Sequence, residues 1–95
     1  MSLTAIAETI EKGLSKSDFT DSLKFDCGTA GVIMIADKQV SLEDGPAACT
    51  LKMSVENLEK LVTGKLNPMT AVMMGKIKVG GDPSVAMKLG KLLKG

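Results

Sequence analysis

Few residues in this 95-residue chain could make or break a covalent bond. It has no His, no Trp and no Tyr, and every one of its twelve basic residues is Lys. Without imidazole there is no Ser–His or Cys–His nucleophile pair and no nitrogen ligand of the usual kind for a metal. Without guanidinium there is no bidentate reader of phosphate or guanine. Two Phe offer little surface for stacking bases. Cys27 and Cys49 fall at inward positions of alternating segments, where a thiol behaves as a small hydrophobe. Glu43 and Asp44 sit side by side in a Gly-Pro loop with no third ligand at useful spacing, which fits a solvated turn. Gly75-Lys76 has the ending of a phosphate loop, but position 70 is Thr and position 77 is Ile, so the loop is absent. These residues point away from hydrolase, zinc-site and nucleic-acid chemistry. No enzyme activity, catalytic residue, metal or cofactor is expected.

What remains is chemistry of burial. Seven Met are present, and Met69, Met73 and Met74 cluster. Met is flexible and polarisable, and suits surfaces that accept variable apolar partners. Two readings stay open: a pliable ligand pocket, or a Met-rich core in place of aromatics. The charges are also unevenly spread. Residues 1–48 carry four Lys against eight acids, and residues 49–95 carry eight Lys against three. The basic second half is either a solvated face or a surface attracted to anionic membranes and acidic headgroups.

The elements that must position these residues follow from periodicity. Leu3, Ile6, Ala7, Ile10 and Leu14 share one helical face after Thr4, a candidate cap. Leu23, Phe25 and Cys27 alternate with Lys24 and Asp26, residues 32–36 are apolar on both faces, and Asp37-Lys38 turns into Val40 and Leu42. These segments read as an antiparallel meander. A fourth strand spans 47–53, and Ser54 caps a helix carrying Val55, Leu58, Leu61 and Val62 that ends at Gly64. Asn67-Pro68 opens a short helix ending at Gly75. A fifth strand spans 76–80, and Gly80-Gly81 turns. Asp82-Pro83 opens a last helix with a stripe of Val85, Ala86, Leu89, Leu92 and Leu93. That helix docks on its own core, or doubles as a lid or a membrane contact. Lys52, Lys76 and Lys78 face one way while Leu51, Met53, Ile77 and Val79 face the other. The pattern predicts an α+β fold, a five-stranded mainly antiparallel sheet with helices on one face.

The length suits one domain, residues 1–95. The longest uncharged runs, 27–36 and 66–75, hold ten residues each, well short of the roughly 20 of a membrane span. No basic segment precedes an apolar run at the N-terminus, so no secretory signal is expected. Two Cys make a poor disulfide framework, which suits a reducing, cytoplasmic setting.

Four blocks in the second half carry a resemblance. Ala48-Cys49-Thr50-Leu51-Lys52-Met53-Ser54 and Leu61-Val62-Thr63-Gly64-Lys65-Leu66-Asn67-Pro68-Met69 are followed by Gly75-Lys76-Ile77-Lys78-Val79 and Ala86-Met87-Lys88-Leu89. In order and spacing they resemble the sterol carrier protein type 2 domain family over residues 47–93. The N-terminal half agrees more loosely. The resemblance implies an apolar tunnel between sheet and helices that takes fatty acids, acyl-CoAs, phospholipids or sterols. Its walls would come from Ile33, Ile35, Leu51 and Met53 on the sheet. Leu58, Leu61, Val62, Met69, Val72 and Met73 would add the helical side, and Ile77, Val79, Met87 and Leu89 the far side. Lys65, Lys76, Lys88 or Lys91 would meet a carboxylate or phosphate headgroup. The family places aromatics where this chain has Val72-Met73-Met74, which favours a flexible acyl chain over a flat sterol. The chain also lacks the peroxisomal tail of some members, as expected of a compact, stand-alone, bacterial type. The reading is non-catalytic lipid binding and transfer. Its rival is an interaction domain with a closed cavity that partners a lipid-metabolising enzyme.

Overall fold

The computed structural model describes residues 2–94, with side chains as far as Lys88. Helix α1 (Leu3–Ser15) turns Ile6, Ala7, Ile10 and Leu14 inward, as their spacing requires. Ser2 caps it, its Oγ accepting from the Ala5 N–H at 3.1 Å. The expected cap, Thr4, lies inside the helix. Starting at Leu3 brings that side chain against the core.

Strands β1 (Leu23–Asp26), β2 (Val32–Ala36) and β3 (Gln39–Ser41) form the expected antiparallel meander. Asp37 and Lys38 link β2 to β3 with φ of 53° and 60°. This is the backbone of a type I′ hairpin turn, adopted here without glycine. Strand β4 (Cys49–Lys52) lies parallel to β1, and β5 (Lys78–Gly81) antiparallel to β4. The sheet order is β3-β2-β1-β4-β5. The fold is therefore α+β with a mostly antiparallel five-stranded sheet and one parallel pair.

Helices α2 (Val55–Val62) and α3 (Pro68–Met73) lie in the β4–β5 connection, and α4 (Pro83–Lys94) follows β5. Both connecting helices end in the same way. In α2 the Gly64 N–H reaches the Leu61 carbonyl and the Lys65 N–H reaches that of Lys60, at 3.2 and 2.8 Å. In α3 the Gly75 N–H reaches the Val72 carbonyl and the Lys76 N–H reaches that of Ala71, at 3.1 and 2.9 Å. These are paired Schellman caps with glycine at φ of +79° and +77°. The second cap also corrects the expected fifth strand. Lys76 and Ile77 are used in closing α3, so pairing begins at Lys78. Gly80 and Gly81, expected as a turn, pair opposite Thr50 and Cys49.

One core lies on the helical face. Leu23, Phe25, Ile33, Ile35, Cys49 and Leu51 of the sheet meet Ile6, Ile10 and Leu14 of α1 and Leu58 and Leu61 of α2. The opposite face carries Lys24, Met34, Thr50, Lys52 and Lys78 in cross-strand register. There Lys24 bonds Asp44 at 2.6 Å, tying the β3–β4 loop to the outer face. Leu42, expected beside Val40 on the inner face, is exposed in the bend after β3.

Two substitutions test this backbone by urea denaturation. Lys38→Gly relieves a left-handed conformation and should stabilise by about 0.5–1 kcal/mol. Gly81→Ala should destabilise by about 1–3 kcal/mol, because at φ +87° its Cβ would collide with the Ala48 carbonyl oxygen.

Candidate functional site

The helical layer does not cover the sheet evenly. Helix α1 packs against β3 and α2, and the side chains of both helices join the closed core. Over β4 and β5 the cover is α3 and α4, and α3 has only six residues. Its start is fixed by Asn67, whose Oδ1 accepts from the N–H groups of Met69 and Thr70 at 2.9 and 3.2 Å. Pro68 at the first helical position presets the backbone. Only Ala71 of this helix is fully buried. Helix α4 starts similarly, with Asp82 Oδ1 accepting from the Ser84 N–H at 2.9 Å and from Ser84 Oγ at 2.7 Å. Those bonds hold the Asp82 carboxyl below its usual range.

Between these short, well-capped ends lies an apolar cleft of about 220 Å³. Leu51 and Val79, a cross-strand pair, form its floor. Pro68, Met69, Val72 and Met73 form one wall, Pro83, Ala86 and Met87 the other, and Ile77 closes the end. Among the described residues, no charged or hydrogen-bonding side chain lines it. Met69, Met73 and Met87 stand at its mouth with exposures of 55%, 85% and 67%. Such a surface can remove an apolar group from water, and its methionines can adjust to the shape of that group. The volume lies below the ~300–1,000 Å³ of sites that engulf a drug-sized ligand.

Of the side chains expected to line a tunnel, Leu51, Met69, Val72, Met73, Ile77, Val79 and Met87 come together here. Ile33, Ile35, Leu58 and Leu61 do not. They are sealed in the closed core, which also takes in Ile6, Ile10 and Leu14 of α1. Met53 is buried in that core, and Val62 packs half-buried against it. The side chain of Leu89 lies outside the described residues. Pro68, Pro83 and Ala86 were not anticipated. The two prolines are legible as helix starts, but nothing local says that both starts face one cleft.

The lysines are placed differently from one another. Lys65 and Lys76 are exposed, at matching positions just past the ends of α2 and α3, where positive charge suits the helix dipole. Neither lines the cleft. Lys88 Nζ bonds Asp21 Oδ2 at 2.7 Å, which raises the lysine pKa. It faces a separate polar depression of about 410 Å³ lined by residues 16–21. The Lys91 side chain lies outside the described residues. Cys27 and Cys49 are buried, and burial first, with a nearby Asp26 or Asp82 second, pushes both thiols up. They are held protonated and are poor nucleophiles.

Residues 2–94 match the model of the SCP-2 sterol transfer family. The chain belongs to that family. It is 47% identical over 49 residues to sterol carrier protein 2 of Bos taurus, a match covering 52% of this chain and 9% of that one. The matched segment thus spans about a tenth of that relative's length. The fold is shared with the crystal structure of sterol carrier protein 2 like 2 from Aedes aegypti, at a TM-score of 0.79 and 21% identity, covering 96% and 95% of the two chains. The solution structure of Aedes aegypti sterol carrier protein 2 in complex with palmitate aligns at 0.79 and 20% identity, covering 98% and 96%.

The thiols supply a test of the packing around the sheet. In the native protein both should react slowly with a disulfide reagent at pH 8, and urea should release two rapid equivalents. Because folding raises their pKa, their stabilising contribution is complete below the ordinary thiol value of ~8.5 and fades as pH rises above it. The urea midpoint should therefore fall towards pH 10, and less steeply in Cys27→Ala/Cys49→Ala.

Proposed function

We infer that the protein is a non-catalytic carrier that binds the apolar chain of a lipid in the cleft between β4–β5, α3 and α4. The observation that carries this reading is the Leu51–Val79 floor, walled among the described residues by apolar side chains, with exposed methionines at its mouth. Family membership supports the ligand class, and so does a shared fold with a relative described in complex with palmitate. The driving force is burial, roughly 0.8 kcal/mol per CH₂ before the cost of ordering the chain. A dozen methylenes then suffice for useful affinity, and no covalent step is needed.

A fatty acid, acyl-CoA or phospholipid suits the cleft better than a sterol. A flat ring system needs a rigid face, and Met69, Met73 and Met87 at the mouth supply only flexible contact. The headgroup stays outside, because no described side chain of the cleft could satisfy its hydrogen bonds. Lys65 and Lys76, at the two ends of α3, are its natural partners. Lys88 would first have to leave Asp21. The free, buried cysteines suit a cytoplasmic setting. The modest 220 Å³ volume favours a second reading, in which the cleft is closed and the domain serves a lipid-metabolising enzyme as a docking partner.

Ala86→Trp decides between the two. Ala86 is half-buried in the α4 wall, so an indole there fills the cleft from the solvent side. The parent protein should bind palmitate in native mass spectrometry. The variant should keep its circular dichroism spectrum and bind at least about tenfold more weakly, a loss of ~1.4 kcal/mol. Equal affinity in the two proteins would remove the cleft from the mechanism, and no uptake by the parent would favour the docking-partner reading.

A further inference from the structure

Residues 60–81 contain four Lys and neither Asp nor Glu. At the centre of this stretch lies α3, about 9 Å long for six residues. Lys65 precedes it and Lys76 follows it, both exposed and both fixed in backbone position by the Schellman caps. Between them the helix shows water an unusual set of side chains. Met69, Val72 and Met73 are exposed, and so is Met74, at 61%. Met74 does not line the cleft, so ligand binding does not account for its exposure. Met87 of α4, across the mouth, extends the same apolar surface.

We propose that α3, with Lys65 and Lys76 at its ends, docks on the surface of an anionic phospholipid bilayer and lays the mouth of the cleft against the membrane. Lysines flanking exposed methionines match the two layers of such a surface, phosphates outside and acyl chains beneath. A second copy of this chain fits less well. A two-fold contact would set each basic rim against another and leave the lysines without counter-charge. The docked geometry lets an acyl chain pass between bilayer and cleft without crossing water. This role rests on the lipid-carrier reading, although the docking itself is measured independently of it.

The test is flotation of the full chain with vesicles of phosphatidylcholine alone and of phosphatidylcholine mixed with phosphatidylglycerol. The protein should bind the mixed vesicles, ignore the neutral ones, and dissociate as salt is raised. Lys65→Glu/Lys76→Glu should lower the partition coefficient about 25-fold or more, at roughly fivefold for each positive charge lost. Met74→Ser should lower it by about fivefold through lost apolar burial, with palmitate affinity in solution unchanged. Equal binding to both vesicle types, or variants that bind like the parent, would overturn the proposal. So would a Met74-dependent dimer in sedimentation velocity without vesicle binding. Palmitate uptake without vesicle binding would sink the docking and leave the carrier reading intact. Vesicle binding without palmitate uptake would do the reverse.

Discussion

The fold depends on the parallel pairing of β1 with β4. That ladder is where the two halves of the chain meet: the meander β3-β2-β1 on one side, β4 and β5 on the other. It runs from Leu23 opposite Cys49 to Asp26 opposite Lys52. It is extended at one end by the Ala48 N–H on Ser22 Oγ at 2.7 Å, and at the other by the Met53 N–H on the Asp26 carbonyl at 3.1 Å. Parallel neighbours cannot be joined by a tight turn. Here the crossover is the remainder of the meander and its loop. The register has a direct consequence for packing. It puts Leu23, Phe25, Cys49 and Leu51 on one face, where a slip of one residue would turn all of β4 outward.

With the sheet fixed, the helices decide where it is closed and where it is open. Helix α1 has four buried side chains over thirteen residues and packs against β3 and α2, closing the core there. Helix α3 has one, Ala71, over six. A helix that short cannot be held by its own propensity. Its caps and Ala71 hold it, and its methionines are left standing around a gap instead of filling it. The gap is the cleft. The hydrogen bonds of Asn67 and Gly75 serve the ends of α3, and the side chains it turns to the cleft are apolar.

The described lysines lie off the cleft for different reasons. Lys24 is on the outer face of the sheet by register and meets Asp44 there, and Lys88 bonds Asp21 beside the polar depression. Lys65 and Lys76 are exposed just past the ends of α2 and α3. Exposed methionines on α3 with a lysine beyond each of its ends are the arrangement on which the docking proposal rests.

Much of this was determined by the sequence alone. The helical stripe of α1, the alternation through the meander, the caps at Ser54, Asn67 and Asp82, and the glycines at 64 and 75 are local signals, and the structure follows them. The four blocks between residues 47 and 93 pointed to the family. What periodicity reports, however, is only that a side chain faces inward. Ile33 and Leu51 carry the same signal and join one core, yet only Leu51 also lines the cleft. Gly80-Gly81 is compatible with a turn or a strand edge, and only β4 alongside makes it a strand. Lys76 and Lys88 are alike in sequence, but only the fold brings Asp21 to one of them. In each case the deciding partner is remote along the chain. A residue's own neighbours fix its local geometry, and what lies across from it is set by tertiary packing.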